Sequence, residues 1–252
     1  MTTLYPHIVY GPVRSRRLGL SLGVNLLPLH AKLCTFDCIY CECGWNDENR
    51  FQGGEAFAPV HEVAAALESR LMQMQEDGEL PDVITFAGNG EPTLHPDFEQ
   101  VIEQTIALRD KYAPNAKISV LSNATQLRRP DVVRALKRVD NNILKLDAAD
   151  DATAQLMNKP CCNYSVERVI EQLTAFEGEL IVQIMFLRGE YNGQMVDNTS
   201  PAHIAAMRKA LQRIRPKQIM CYTIARDTPC KTLQPLTAEE VSQLQEQLMG
   251  SY

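Results

Sequence analysis

Lys32-Leu-Cys34-Thr-Phe-Asp-Cys38-Ile-Tyr-Cys41 carries three cysteines, with three residues between the first two and two between the last. Thiolates spaced in this way on a short loop can hold three irons of a cubic 4Fe-4S cluster. Such cubes normally take four cysteines, so the fourth iron is left open for a small molecule. The spacing alone allows two other readings. Offsets of four and then three put three side chains on one helix face, where buried free cysteines are common. Alternatively, Cys34, Cys38 and Cys41 join Cys43 around a structural zinc. The surroundings of the stretch decide among these.

The chain has 252 residues, 45% hydrophobic and 22% charged, enough for one α/β barrel or two small domains. No apolar run approaches a membrane span, and the opening Met1-Thr-Thr-Leu-Tyr-Pro-His7 lacks a secretory apolar segment. Eight cysteines in that setting point to reduced thiols and metal, hence to a cytoplasmic protein. A net charge of −6 argues against nonspecific coating of nucleic acid. Arg14, Arg16, Arg17 and Lys32 precede the first acid, Asp37, and residues 208–217 hold five basic side chains and no acid. Runs of this kind are ordinarily solvated faces.

Outward from the cysteines the hydrophobic period alternates between two and about 3.6. Strands are expected at Leu20–Leu27, Asp82–Ala87, Lys117–Leu121, Ile143–Asp147, Leu180–Leu187 and Gln218–Thr223. Helices are expected at Val60–Glu76, Pro96–Lys111, Pro130–Arg138, Tyr164–Phe176, Pro201–Ile214 and Thr237–Met249. The last opens with Thr237 as N-cap and Glu240 three residues on. Near-continuous apolar strands between helices imply a parallel sheet covered by helices. The alternation fits a doubly wound open sheet as well as a partial barrel, and in both the ligands bind at the carboxyl ends of the strands.

Polar and flexible residues do gather there. Gly88-Asn89-Gly90-Glu91-Pro92 follows the second strand, its glycines free to take positive φ and Glu91 held extended by the proline. Ser122-Asn123 follows the third strand, Asp147 ends the fourth, Arg188 follows the fifth, and Tyr222-Thr-Ile-Ala-Arg226 ends the sixth. Taken singly, Gly88–Pro92 is equally a turn into the next helix, and each of the later strand-end groups reads as a cap or a loop solvator rather than a ligand.

The cysteine loop and the Gly88–Pro92 segment together resemble the radical S-adenosylmethionine (radical SAM) superfamily. Gly11-Pro-Val-Arg-Ser-Arg-Arg-Leu-Gly19, Ser21-Leu-Gly-Val-Asn25 and Tyr222–Arg226 narrow the resemblance to an uncharacterised branch related to the wyosine-forming tRNA enzymes. It implies a partial (β/α)6 TIM-type barrel with a C-terminal helix, as a single domain with its core at about 10–226 and an extension at 227–252. Cys34, Cys38 and Cys41 are then the cluster ligands, and S-adenosylmethionine (SAM) fills the open iron. Gly88, Asn89, Gly90 and Glu91 would receive the amino group of SAM, with Asn89 inserted relative to the usual Gly-Gly-Glu-Pro. Tyr40 lies where the adenine is approached, and Ser122, Asn123, Asp147 and Arg188 are carried over as SAM contacts.

The activity so implied is reductive cleavage of SAM to a 5′-deoxyadenosyl radical, which takes hydrogen from a small molecule, a nucleoside or a tRNA. Its electron would come from a flavodoxin or ferredoxin. The wyosine enzymes carry a second cluster on N-terminal cysteines, and this chain has none before Cys34. Basic segments 14–17, 128–138 and 208–217 offer phosphate contacts, but no RNA-reading module is present. Cys161-Cys162 could serve an auxiliary cluster, and Cys230 is a candidate catalytic thiol. Two further readings remain: an activase that installs a radical on a partner protein, and a nonenzymatic zinc- or cluster-binding module.

Overall fold

The computed structural model describes residues 3–15, 19–46 and 57–250, and Arg16 and Arg17 lie outside them. Its centre is a seven-stranded sheet in the order β1 (Val9–Ser15), β2 (Gly19–Val24), β3 (Val83–Phe86), β4 (Lys117–Ser122), β5 (Asn141–Lys145), β6 (Ile181–Phe186), β9 (Gln218–Thr223). From β2 onward neighbouring strands are parallel, whereas β1 runs antiparallel to β2. Among the described residues β1 and β9 are the two edges and do not pair, so the barrel is partial. A separate hairpin joins β7 (Arg188–Tyr191) to β8 (Gln194–Asp197).

Crossovers are made by α1 (Val60–Glu76), α2 (Phe98–Tyr112), α3 (Pro130–Leu136), α5 (Val166–Thr174) and α6 (Pro201–Ile214). α4 (Asp151–Met157) precedes α5, and α7 (Ala238–Met249) closes the described chain. Strand residues alternate strictly between two faces. Leu22, Ile84, Val120, Leu144, Val182 and Ile219 pack on helix residues such as Leu67, Ile102, Val132 and Met207 in one apolar core. The other face is mixed: Ser21 Oγ meets Thr85 Oγ1 at 2.8 Å and Asn141 Nδ2 donates to Ser119 Oγ at 2.9 Å, while Leu121, Ile143, Ile181 and Met220 form a smaller apolar cluster.

Local chemistry sets the element ends. β2 stops at Val24, short of the expected Leu27, because Asn25 Oδ1 accepts from Leu27 N at 3.3 Å and turns the chain. α7 has the expected capping box: Glu240 N donates to Thr237 Oγ1 at 3.2 Å, and Thr237 N to Glu240 Oε2 at 2.8 Å. Five elements among the described residues are additions to the sequence reading, one of them a 3-10 turn at Pro92–Leu94. β1 contains Pro12, which suits an edge strand. α4 is capped by Asp150, whose carboxylate accepts from Thr153 N at 2.8 Å. The β7–β8 hairpin turns on Asn192-Gly193, both at positive φ.

The basic segments prove to be largely paired. Arg134 and Arg138 hold Glu99 and Glu103 at 2.6 Å, Arg213 holds Glu167 at 2.5 Å, and Lys217 reaches Glu179 at 3.4 Å. Arg14 lies across from Leu20 at the start of β2, the end of the parallel strands opposite the cysteines, and pairs with Glu79 at 3.2 Å. Among the described residues no helix is long and apolar enough to cross a membrane.

Candidate active site

The cysteine stretch is an irregular loop held from both sides by backbone hydrogen bonds. On one side Leu33 N donates to Asn89 O at 2.8 Å and Glu91 N to Leu33 O at 3.0 Å, so the loop joins the Gly88–Pro92 segment as a one-residue parallel bridge. On the other, Asp37 N donates to Asn158 O at 2.9 Å, Ile39 N to Met157 O at 3.0 Å, and Cys161 N to Thr35 O at 2.8 Å. Cys34 and Cys38 are buried, Cys41 is half-buried, and all are free thiols. Asn123 Nδ2 and Asn158 Nδ2 each stand 3.5 Å from a sulfur, that of Cys34 and Cys38 respectively.

The three thiols open into one cavity of about 230 Å³, whose walls include Gly88, Gly90, Glu91, Ser122 and Asn123. Gly90 takes φ +140° and Gly88 φ +138°, and a Cβ on Gly88 would lie 2.5 Å from Asn25 Oδ1. Only glycine meets both the conformation and the close approach. An adjoining chamber of about 340 Å³ shares Tyr40, Gln183, Met185 and Tyr222 with the first and runs on between β1 and β9 to Arg226 and Thr228. Its floor is apolar, from Leu121, Ile143 and Met220.

Glu91 is 2% exposed. Its Oε2 accepts from Asn123 N at 2.6 Å, and its Oε1 from Thr93 N at 3.1 Å and Thr93 Oγ1 at 2.5 Å. Burial pushes this carboxyl above the usual carboxylate range, against the opposing pull of those hydrogen bonds. Ser122 adds to that pull, and Glu91 lines the cavity, where a carboxylate faces a cationic ligand.

Lys32 is a second buried charge, with Nζ donating to Gly44 O at 2.8 Å and 3.4 Å from Asp37. Burial opposes its charge, but the fields of Cys41, Cys34, Cys38 and Asp37 outweigh that and hold the ammonium. Burial drives the Cys34 thiol well up and the Cys38 thiol to about 11, the latter tempered chiefly by Lys145. Cys41 is held below its ordinary range by a hydrogen bond from Cys43, with Lys32 adding to the effect and burial opposing it. Thiolate character is what an iron ligand needs.

Other residues singled out by sequence have different surroundings. Asn89 is fully buried and turned to the amino-terminal segment: its Oδ1 accepts from Tyr5 N at 2.8 Å, and its Nδ2 donates to Pro28 O at 2.8 Å. Asp147 lies behind the cavity wall, its carboxylate taken up by the Tyr40 hydroxyl, Asn158 Nδ2 at 2.7 Å and Met185 N at 2.8 Å. Tyr40 lines the cavity itself. Arg188 opens the β7 hairpin and pairs with Glu240 at 2.7 Å, away from both chambers. Cys230 Sγ donates to Glu190 O at 3.4 Å outside the cavity, and Cys161 and Cys162 are exposed. Cys43 lines the cavity, with Sγ 3.2 Å from Gly88 O.

The sequence reading leaves Lys145 without a role, although it ends β5 directly before Leu146-Asp147. Its Nζ lies 2.9 Å from Tyr222 OH, 3.3 Å from Tyr40 OH and 3.6 Å from Asp147. This puts a half-buried cation in the cavity wall.

A family profile described as the Radical SAM superfamily matches residues 29–199, from the cysteine loop to the start of α6. The chain belongs to the radical SAM superfamily. It is 28% identical over 242 residues to a UPF0026 protein of Methanocaldococcus jannaschii, covering 94% of this chain and 70% of that one. Among solved structures, a radical SAM methyltransferase from Sphaerobacter thermophilus superposes with TM-score 0.62 at 15% identity, over 92% of this chain and 63% of that one. An archaeal TYW1 gives 0.56 at 12% identity, over 92% and 72%. The radical SAM fold is thus shared, and this chain spans about two thirds of the length of these three proteins.

Proposed function

We propose that this radical SAM protein is an enzyme that reductively cleaves SAM and passes the resulting radical to a small substrate in the adjoining chamber. The observation that carries the reading is that Cys34, Cys38 and Cys41 line one cavity with Gly90, Glu91, Ser122 and Asn123. The donor set fits a cluster. Among the described residues no three His, Cys, Asp or Glu side chains gather as ligands of a single ion. A cube spreads its thiolates over separate irons, whereas zinc draws four ligands to about 2.3 Å from one centre.

In this reading Cys34, Cys38 and Cys41 hold three corners of a 4Fe-4S cluster and leave the fourth to SAM. When bound and reduced, the cluster supplies the electron that splits the SAM sulfonium to methionine and a 5′-deoxyadenosyl radical. Glu91, buried and held by Asn123 N and Thr93, receives the ammonium of SAM and orients it. Ser122 and Asn123 offer hydroxyl and amide groups to its carboxylate or ribose. Tyr40 lines the wall between the chambers. Lys32 balances the negative charge of the thiolates from within the loop. Leu121, Ile143 and Met220 give the second chamber an apolar floor beside the place of the radical step.

The test is 5′-deoxyadenosine formation by the anaerobically reconstituted chain with SAM and dithionite. The native chain should form it, and a Cys38→Ala variant should form none. Zinc in place of iron after reconstitution, or a full 4Fe-4S complement with no cleavage across a substrate panel, would reject the proposal.

A further inference from the structure

We infer that the cleft beside the start of α5 is the docking site for an acidic electron-donor protein, with Arg128 and Arg168 as its charged contacts. The inference rests on the proposed function, because reductive cleavage needs an electron from outside. The cleft, of about 120 Å³, lies between the loop after β4, with Thr125 and Arg128, and the segment that leads through Ser165 into α5. Its floor is one hydrogen-bonded layer from a cluster cysteine. Thr125 Oγ1 stands 2.7 Å from both Thr35 Oγ1 and Asn123 Oδ1, and Asn123 Nδ2 stands 3.5 Å from Cys34 Sγ. The cavity side of the cysteine loop is the place of SAM and substrate. A protein donor must therefore approach from the outer side, and this cleft opens there.

Charge identifies the partner. Arg128 and Arg168 are exposed, and neither makes a hydrogen bond or an ion pair. Most basic side chains of the neighbouring helices are instead paired, as Arg129, Arg134, Arg138 and Arg213 are. No acid is among the residues that line the cleft, and three nearby carboxylates are engaged elsewhere: Glu167 with Arg213 at 2.5 Å, Asp131 with Arg129 at 2.5 Å, and Asp151 with Val166 N at 2.6 Å. Unpaired guanidinium groups over a shallow cleft steer an oppositely charged protein and fix its register without a large apolar contact.

The experiment follows cluster bleaching in the anaerobically reconstituted full chain, reduced either by photoreduced acidic flavodoxin or by dithionite. An Arg128→Glu, Arg168→Glu double variant should slow the flavodoxin reaction about tenfold or more at low salt, an effect that shrinks as ionic strength rises. Its dithionite rate and iron content should match the native chain. An Arg128→Gln, Arg168→Gln variant should fall between the two. Equal flavodoxin rates in native and Glu variants overturn the inference. So does loss of tRNA retention with the flavodoxin rate intact, which would make the cleft an RNA contact. Calorimetric titration of oxidised flavodoxin onto the cluster-free chain, native against variant, reads docking independently of SAM cleavage. Failure of the proposed function therefore leaves this test standing.

Discussion

A Cβ on Gly90 would stand 1.9 Å from the carbonyl oxygen of Leu33. That contact is where the cysteine loop and the SAM-facing loop share backbone, and it decides how near Glu91 comes to the thiols. Gly90→Ala must both abandon φ +140° and push Leu33 away. We expect it to cost about 1–3 kcal/mol for the strain alone. Calorimetry on reconstituted protein should show SAM affinity reduced at least tenfold. Unchanged SAM binding would mean that the two loops are not coupled.

Cys43 faces Gly88 O and touches Cys41, but it lies outside the three-cysteine set. Cys43→Ala should retain the iron and sulfide content of the native chain after reconstitution, and Cys38→Ala should lose it. If Cys43→Ala also loses its metal, four cysteines hold it and the open-iron arrangement is wrong.

Glu91 predicts a pH dependence. Because burial raises its folded pKa, the folded chain binds this proton more tightly than the unfolded one. Its contribution to stability is full below the ordinary carboxyl value of about 4.3 and declines as pH rises through the raised value. A bound ammonium favours the ionised form, so SAM affinity should increase over the same window. Glu91→Gln should flatten both profiles, measured by urea unfolding of the cofactor-free chain and by SAM titration of the loaded one. A native-like slope in the variant assigns the effect to another group.

Asp147 and Arg188 both end up in hydrogen bonds within the chain, at very different burial. Asp147→Ala strands Asn158 Nδ2, Met185 N and the Tyr40 hydroxyl in the interior. It should cost about 3–5 kcal/mol. The Arg188–Glu240 pair is surface-exposed, and Arg188→Ala should cost about 1 kcal/mol or less. Chemical denaturation without cofactor separates the two. An Asp147→Ala chain as stable as native would return Asp147 to the ligand-binding candidates.

Asn142 is 1% exposed on the helix-facing side of β5, with neither amide atom hydrogen-bonded. Buried unpaired polar groups cost about 1–3 kcal/mol, so Asn142→Val, with a strand-favouring side chain, should raise stability by about that amount. A destabilised variant would show that the amide has a partner.

Much of the scaffold was legible. The spans of α1 and α6 and the capping box of α7 follow from apolar period, Pro201 and the Thr237–Glu240 pair, all local signals. β1 was not, because Gly11-Pro12 interrupts it and its pairing comes entirely from β2. The β7–β8 hairpin had its Asn192-Gly193 signal, but too few apolar residues around it to mark strands. In the site, the cysteines and Gly88–Pro92 stand out by type and spacing. Nothing local shows that Asn89 turns its amide to Tyr5, or that Lys145 reaches Tyr222.

By itself, the sequence determined the alternating α/β order, the three thiols on one loop and the glycine-framed glutamate, because these depend on residues near one another in the chain. Tertiary structure alone decided that Leu33 meets Gly90, that Asp147 is spent inside the wall and that Arg128 and Arg168 stand unpaired beside the cysteine loop. Each of those depends on burial and on partners up to about a hundred residues away, which only the parallel crossovers bring into contact.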